Sequence, residues 1–352
     1  MFTVLFLTRG SGMGHAARDM LIAQELKRLC PEAEIRFASY ADGAKALRMH
    51  GIDAIDLMLP PMGNIHERIP RIGKLLREHA PALVVSDEEL FALPLCHVFD
   101  IPAVFITNWL ATEETVSYIS LLLNAERIIV TDIEDSFMPP VWLEKLVEFV
   151  GPVCRLEAIT EDKRSLRQQL GLDPNRRLVL ITAGGSDVSD VVYFGMCAYA
   201  LARIKEPLQV IAVAGPWYKM LEPMQYAWTT SIQFTDYIPQ LTRYIAASDF
   251  VLTRGGHSTL WELALHGIPS ICIPHPRLVD PLNEYYAFTM QRRGTTIVLP
   301  ERELNVEMLL AKCENLLQNK AIYQSMSQAG LTYRERVGTR KAAEAIASYL
   351  PS

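Results

Sequence analysis

The stretch from Phe250 to Ala287 constrains this chain more than any other. It holds an apolar run (Phe250 to Leu252), a Gly255-Gly256 turn, a helix-patterned segment (Ser258 to His266), a second apolar run (Ser270 to Ile273) and a polar loop with Asp280 and Asn283. Two short apolar runs joined through one helix form a crossover, so the strands are parallel and both loops open at the same sheet edge. The pattern recurs along the chain. Runs at Thr3 to Thr8, Ile35 to Ala38, Ala54 to Leu57, Leu83 to Val85, Ala103 to Ile106 and Arg127 to Val130 alternate with helical periodicity. A second series follows at Leu178 to Ile181, Gln209 to Val213, Ile232 to Phe234, Phe250 to Leu252, Ser270 to Ile273 and Thr296 to Leu299. Such alternation predicts α/β structure with doubly wound parallel sheets, and places function at the carboxyl ends of the strands.

The chemistry of the 250–287 edge suits a nucleoside diphosphate carrying a sugar. A glycine turn that enters a helix presents free N–H groups and the positive end of the dipole to pyrophosphate, and Arg254 before the turn adds charge. Glu262, one turn into the helix, has acceptor sites for two ribose hydroxyls. Asp280 and Asn283 then face the far end of the ligand, where the sugar lies.

These residues also resemble the donor-binding signature of nucleotide-sugar glycosyltransferases, closest to the family 28 C-terminal domain. Arg254, Gly256, Thr259, Glu262, Gly267, Pro269, Asp280, Ala287 and Gly294 fall at matching places without a gap. The departure is Leu282-Asn283, where the family usually shows glutamine that reads sugar hydroxyls, and this leaves the donor sugar open. The resemblance implies a GT-B architecture: two doubly wound Rossmann-like domains facing across a cleft, with a C-terminal helix crossing back. The expected bounds are 1–150 for an acceptor domain, 151–335 for a donor domain and 336–352 for the crossover. It further implies that Gly184, Gly185 and Ser186 join Arg254, Gly255, Gly256, His257, Ser258 and Thr259 around the diphosphate, and that Tyr237 and Ile238 hold the base, with UDP as the default.

At the first strand end lies Gly10-Ser11-Gly12-Met13-Gly14-His15, with Arg18 after it. A dinucleotide fingerprint is disfavoured, because the third glycine is not at its usual offset and Ser39-Tyr40-Ala41 ends the second strand without an acid. The GxGHxxR form is similar to the first glycine loop of the same transferases, and also occurs in nucleotide-sugar hydrolases of that superfamily. His15 at a helix start is read as a general base; the alternative is a helix cap. Ser86-Asp87-Glu88-Glu89 ends the fourth strand, where Asp87 and its neighbours either orient His15 or cap a helix. Asn108 and Trp109 end the fifth and are candidate acceptor contacts, or packing in the case of Trp109. Arg68, Arg71, Lys74 and Arg77 recur on a helix expected to begin near Pro70. A solvated face is the default reading, and a surface for anionic lipid or a phosphorylated acceptor is the alternative.

Composition adds exclusions. The 352 residues carry a formal charge of -6, which gives no global field for nucleic acid. The six cysteines are too far apart for zinc or CxxC spacing. The start lacks a basic leader and no apolar run nears ~18 residues, which predicts a cytoplasmic protein, at most peripheral on the inner face of a membrane. No two aspartates are separated by one residue, so no DxD metal site is expected and the NDP-sugar is substrate rather than cofactor. The expected activity is metal-independent, inverting glycosyl transfer from an NDP-sugar to a glycan, lipid-linked or small-molecule hydroxyl. A nucleotide-sugar hydrolase or epimerase, and a noncatalytic sugar-nucleotide sensor, are the alternatives.

Overall fold

The computed structural model describes residues 2–60, 64–110, 119–156, 159–183, 190–215, 218–222, 230–238, 241–275 and 282–351. The chain divides into two compact units, Met1–Cys154 with Arg336–Ser352, and Arg155–Glu335. Unit 1 runs β1 (Phe2–Thr8), α1 (Gly14–Leu29), β2 (Ala33–Ser39), α2 (Ala41–Met49), β3 (Ile55–Asp56), α3 (Ile65–His79), β4 (Leu83–Asp87), α4 (Ala92–Val98), β5 (Ala103–Thr107), β6 (Arg127–Val130) and β7 (Val147–Phe149). Unit 2 runs α5 (Lys163–Gln169), β8 (Arg177–Thr182), α6 (Val191–Ala202), β9 (Leu208–Val213), α7 (Tyr218–Leu221), β10 (Ser231–Thr235), α8 (Leu241–Ala247), β11 (Phe250–Thr253), α9 (His257–Leu265), β12 (Ser270–Cys272), α10 (Leu282–Arg292), β13 (Thr296–Val298), α11 (Val306–Gln318) and α12 (Lys320–Leu331). The last helix, α13 (Thr339–Ala347), belongs to unit 1 and packs on α1.

Both sheets are parallel throughout. Their orders, β3-β2-β1-β4-β5-β6-β7 and β10-β9-β8-β11-β12-β13, share the doubly wound sequence 3-2-1-4-5-6. Each sheet is buried on both faces, which is why its strands read as continuous apolar runs. The period of two still sorts the side chains. Val4 and Phe6 of β1 pack toward α1, α2 and α13, while Leu5 and Leu7 pack toward α3 and α4. Val179 and Ile181 of β8 face α6 and α11, while Leu178 and Leu180 face α5, α8 and α9. Among the described residues no helix is long and apolar enough to cross a membrane.

One helix boundary differs from expectation. α3 begins at Ile65 rather than near Pro70, because the Asn64 side chain accepts a hydrogen bond from the Glu67 N–H and caps the helix. The backbone bond that Pro70 forfeits inside the helix is offset by the burial of Ile72, Leu75 and Leu76 beyond it.

The chain re-enters unit 1 through two glycines. Gly151 has φ +98°, and a Cβ there would lie 1.9 Å from the Arg336 carbonyl oxygen; a Cβ on Gly338 would lie 2.4 Å from that of Val150. Positive φ and backbone collision act together at Gly151, so Gly151→Ala is expected to cost about 3 kcal/mol or more in urea unfolding. Gly51, with φ +75° and open space around it, is the control, and Gly51→Ala should cost only about 1–2 kcal/mol. Equal effects would show that the re-entry crossing carries no special constraint.

Candidate functional site: two switch-point edges

In an open doubly wound sheet the ligand crevice opens where strand order reverses. In unit 1 that point lies between β1 and β4, whose register sets Thr8 opposite Asp87. In unit 2 it lies between β8 and β11, with Thr182 opposite Thr253.

The unit 1 edge is built by a tight approach of backbones. Gly10 accepts from the N–H groups of Asp42 and Gly43, and a Cβ on Gly10 would lie 2.3 Å from the Tyr40 carbonyl oxygen. Gly12 takes φ +79° and turns the chain into α1 through Ser11 and Met13. The N-cap is Met13, without a side-chain cap bond, so neither Gly14 nor His15 serves as the cap. His15 instead directs Nδ1 to Asp87 Oδ1 at 2.8 Å. Its Nε2 lies 3.9 Å from Glu88 Oε2, and the side chain is 18% exposed.

Asp87 is fully buried, and its charge is met by Arg18, 4% exposed, whose Nε donates to Oδ2 at 3.0 Å and whose Nη2 donates to Oδ1. Arg18 Nη1 continues to the Thr131 hydroxyl at 3.0 Å. An ionised carboxylate can only accept, so Nδ1 carries the proton toward Asp87 and Nε2 is the basic nitrogen; the 3.1 Å approach of Arg18 Nη2 to Nδ1 is then a contact between two donors. Burial alone would raise the Asp87 carboxyl, but Arg18, His15 and a bond with Asp19 hold it below the usual carboxylate range. Burial likewise opposes ionisation of Glu88, and His15, Arg9 and Arg18 lower it. Glu88 itself has φ +53°, pairs with Arg9 at 2.5 Å and accepts from the Thr107 hydroxyl at 3.0 Å. His15, Asp87 and Glu88 put ligating atoms within 4.8 Å of one another, yet Arg18 and Arg9 already neutralise both carboxylates. Asn108 and Trp109 follow β5 half-buried, the Trp109 N–H donating to the Thr107 hydroxyl.

Several expectations for unit 1 are corrected. The acids after β4 do not open a helix: α4 starts at Ala92, and the Ser86 hydroxyl bonds the Glu89 carbonyl to close a turn. Glu89 does not face His15; it is 2% exposed and takes Arg68 at 2.7 Å together with the Tyr40 hydroxyl. Arg68 therefore leaves the solvated stripe, because a buried carboxylate needs a countercharge. Burial pushes the Tyr40 hydroxyl up to about 12, with Glu89 adding to the effect. Arg71 donates to the Leu57 and Met58 carbonyls while remaining exposed, as are Lys74 and Arg77.

The unit 2 edge carries the turn expected there. Gly255 has φ +87°, and a Cβ would meet Cys272 Sγ at 2.7 Å and the Asn283 carbonyl oxygen at 3.5 Å. The turn thus draws β12 and the start of α10 together, which brings Asn283 beside it. Gly256 is the N-cap of α9 with no side-chain bond, and His257, Ser258 and Thr259 form its half-buried first turn. The His257 ring packs edge-on to Tyr286 at 4.9 Å. Glu262 is half-buried one turn on and accepts from the Thr242 hydroxyl. Tyr237, 37% exposed, and Ile238 follow β10. Gly184, Gly185, Ser186 and Asp280 lie outside the described residues.

Arg254 behaves differently from the expected diphosphate ligand. It is 5% exposed, donates to Asp190 from Nε and Nη2 at 3.0 and 2.7 Å and to Glu301 at 2.6 Å, and lies 4.4 Å over the Tyr193 ring. Its charge is balanced within unit 2, and it braces the Gly255 turn against α6. Residues missed in the sequence are Asp19, Thr131, Thr107 and Arg9 in unit 1, and Asp190, Thr242 and Glu301 in unit 2. Only Asp19 left a local signal, one helical turn beyond His15.

With these edges in view, residues 178–346 match the glycosyltransferase family 28 C-terminal domain. The UDP-N-acetylglucosamine--N-acetylmuramyl-(pentapeptide) pyrophosphoryl-undecaprenol N-acetylglucosamine transferase of Caldicellulosiruptor saccharolyticus is 26% identical over 213 residues, 58% of this chain and 56% of that one. The protein of the same description from Symbiobacterium thermophilum is 25% identical over 350 residues, 92% of this chain and 90% of that one. The match thus spans about half the length of the first relative and nearly all of the second. The crystal structure of Acinetobacter baumannii MurG superposes with a TM-score of 0.70 over 99% of this chain and 100% of that one, at 15% identity. Residues 178–346 thus match the glycosyltransferase family 28 C-terminal domain, and the chain has the GT-B fold.

Proposed function

We propose that the chain transfers a glycosyl group from a UDP-sugar, held by unit 2, to a hydroxyl acceptor held by unit 1. The observation that carries this reading is the His15–Asp87 pair at the β1/β4 switch point, with Nδ1 tied to a buried carboxylate and Nε2 left as the base. In the reaction the acceptor O–H gives its proton to His15 Nε2. The oxygen bonds to the anomeric carbon, the anomeric C–O bond to the diphosphate breaks, and its electron pair leaves with UDP. One displacement inverts the anomeric centre. Charge on the departing diphosphate is met by the Gly255-Gly256 turn and the α9 N-terminus. Arg254 acts by bracing that turn, and no cation is required.

UDP-N-acetylglucosamine is the first donor to test, because the curated relatives are named for it. Leu282 and Asn283 make other sugars worth including. Those relatives are also named for an undecaprenol-linked acceptor; Arg71, Lys74 and Arg77 are the exposed cations of α3 that an anionic membrane surface would meet. Incubation with donor alone separates this reading from a hydrolase or epimerase, which would form product without an acceptor.

His15→Ala is expected to lower kcat by about 10² to 10⁴ with donor affinity nearly unchanged. Steady-state kinetics beside calorimetry of the same preparation is the measurement, and a variant with wild-type turnover would remove His15 from the chemistry. Glu262→Ala should weaken UDP by about 1.5–3 kcal/mol, the range for hydrogen bonds to a charged group, while circular dichroism stays native. Unchanged affinity would rule out Glu262 as the ribose ligand. Turnover should persist in excess EDTA, and a complete loss restored by magnesium would refute the metal-free mechanism.

A further inference from the structure

Asp19, one helical turn after His15, is fully buried beside the His15–Asp87 pair, and the proposed reaction gives it no role. Its Oδ2 accepts from the Thr8 hydroxyl at 2.6 Å, and no donor reaches its Oδ1. The charged groups that act on it are Asp87, whose carboxyl stands within hydrogen-bonding range, and Arg18. Arg18 spends three of its donors on Asp87 and Thr131, and none of its bonds goes to Asp19. Two ionised carboxylates facing each other in a buried site would repel and leave an acceptor unsatisfied. One shared proton removes both penalties.

We propose that Asp19 is a neutral carboxylic acid whose O–H donates to Asp87, making it a positioning residue for the His15–Asp87 pair. The direction of titration agrees: burial first, then the Asp87 charge, raise the Asp19 carboxyl well above its ordinary range, while Asp87 is lowered. Asp87 thus remains the anion toward His15, its carboxylate held by His15, Arg18 and Asp19 together. This rests on the glycosyl-transfer reading for its kinetic consequence but not for its structural content.

The test uses Asp19→Asn, whose amide N–H replaces the acid O–H while its carbonyl still accepts from Thr8, against Asp19→Ala, which replaces neither. Infrared spectra of the ¹³C-aspartate-labelled protein at neutral pH should show a protonated-carboxyl band in wild type that Asp19→Asn removes. The ¹⁵N spectrum of His15 should keep its Nδ1–H tautomer in Asp19→Asn and lose that single tautomer in Asp19→Ala; neither readout needs turnover. The acid form is favoured below the unfolded carboxylate pKa of ~3.9, and its stabilisation is lost as pH rises from there toward the raised folded value. The Tm of Asp19→Asn relative to wild type should therefore increase between pH 4 and pH 8. With a working donor and acceptor, Asp19→Ala should lower kcat by up to about 10²-fold at constant donor KM, and Asp19→Asn should restore it. Absence of the protonated band, or an Asp19→Ala protein with an unaltered His15 spectrum, overturns the proposal. If both spectra behave as expected and no donor is turned over, the glycosyl-transfer reading fails and the Asp19 assignment stands.

Discussion

A buried negative charge organises the functional edge of unit 1. Asp87 ends β4 with no exposure, and an isolated carboxylate there would cost several kcal/mol. Arg18 is turned inward from α1 to meet it, His15 bonds the same oxygen, and Thr131 at the end of β6 fixes the far side of the guanidinium. Because β1 and β4 run parallel in register, Thr8 stands beside Asp87 and reaches Asp19. The loop bearing His15 therefore takes its geometry from a charge that solvent cannot reach.

Unit 2 solves the inverse problem at the corresponding place. Arg254 ends β11, the strand that stands to β8 as β4 stands to β1. There the buried group is a cation, and Asp190 and Glu301 balance it. The backbone of Gly255 and Gly256 and the start of α9 then remain as the elements that the proposed reaction assigns to the diphosphate. This division suits the two ends of the proposed reaction, with a base on one unit and a diphosphate cradle on the other.

Most strands were legible because parallel strands buried on both faces appear as unbroken apolar runs, and the runs read in the sequence overlap the observed strands within one or two residues. The glycine loops were legible for a similar local reason: Gly10, Gly12 and Gly255 sit where a Cβ collides or φ is positive. Side-chain partners were another matter. Arg68 looked like part of an exposed basic stripe until Glu89 and Tyr40, distant in sequence, claimed it. The Ser86-Asp87-Glu88-Glu89 run read equally as a helix start or as acids around His15; Asp87 meets His15, while Asp87 and Glu89 are drawn to different arginines on different helices.

What the sequence determined alone was everything carried by local periodicity and backbone chemistry: two parallel sheets, the loops at their carboxyl edges, and His15 and Glu262 as residues on those edges. What only the tertiary structure decided was electrostatic. Whether Arg254 meets a ligand or its own protein, which acid orients His15, and which of two facing carboxyls keeps a proton all depend on burial and on partners tens of residues away. In a low-dielectric interior those distances of 2.6 to 3.9 Å set charge and orientation, and no single stretch of sequence contains them.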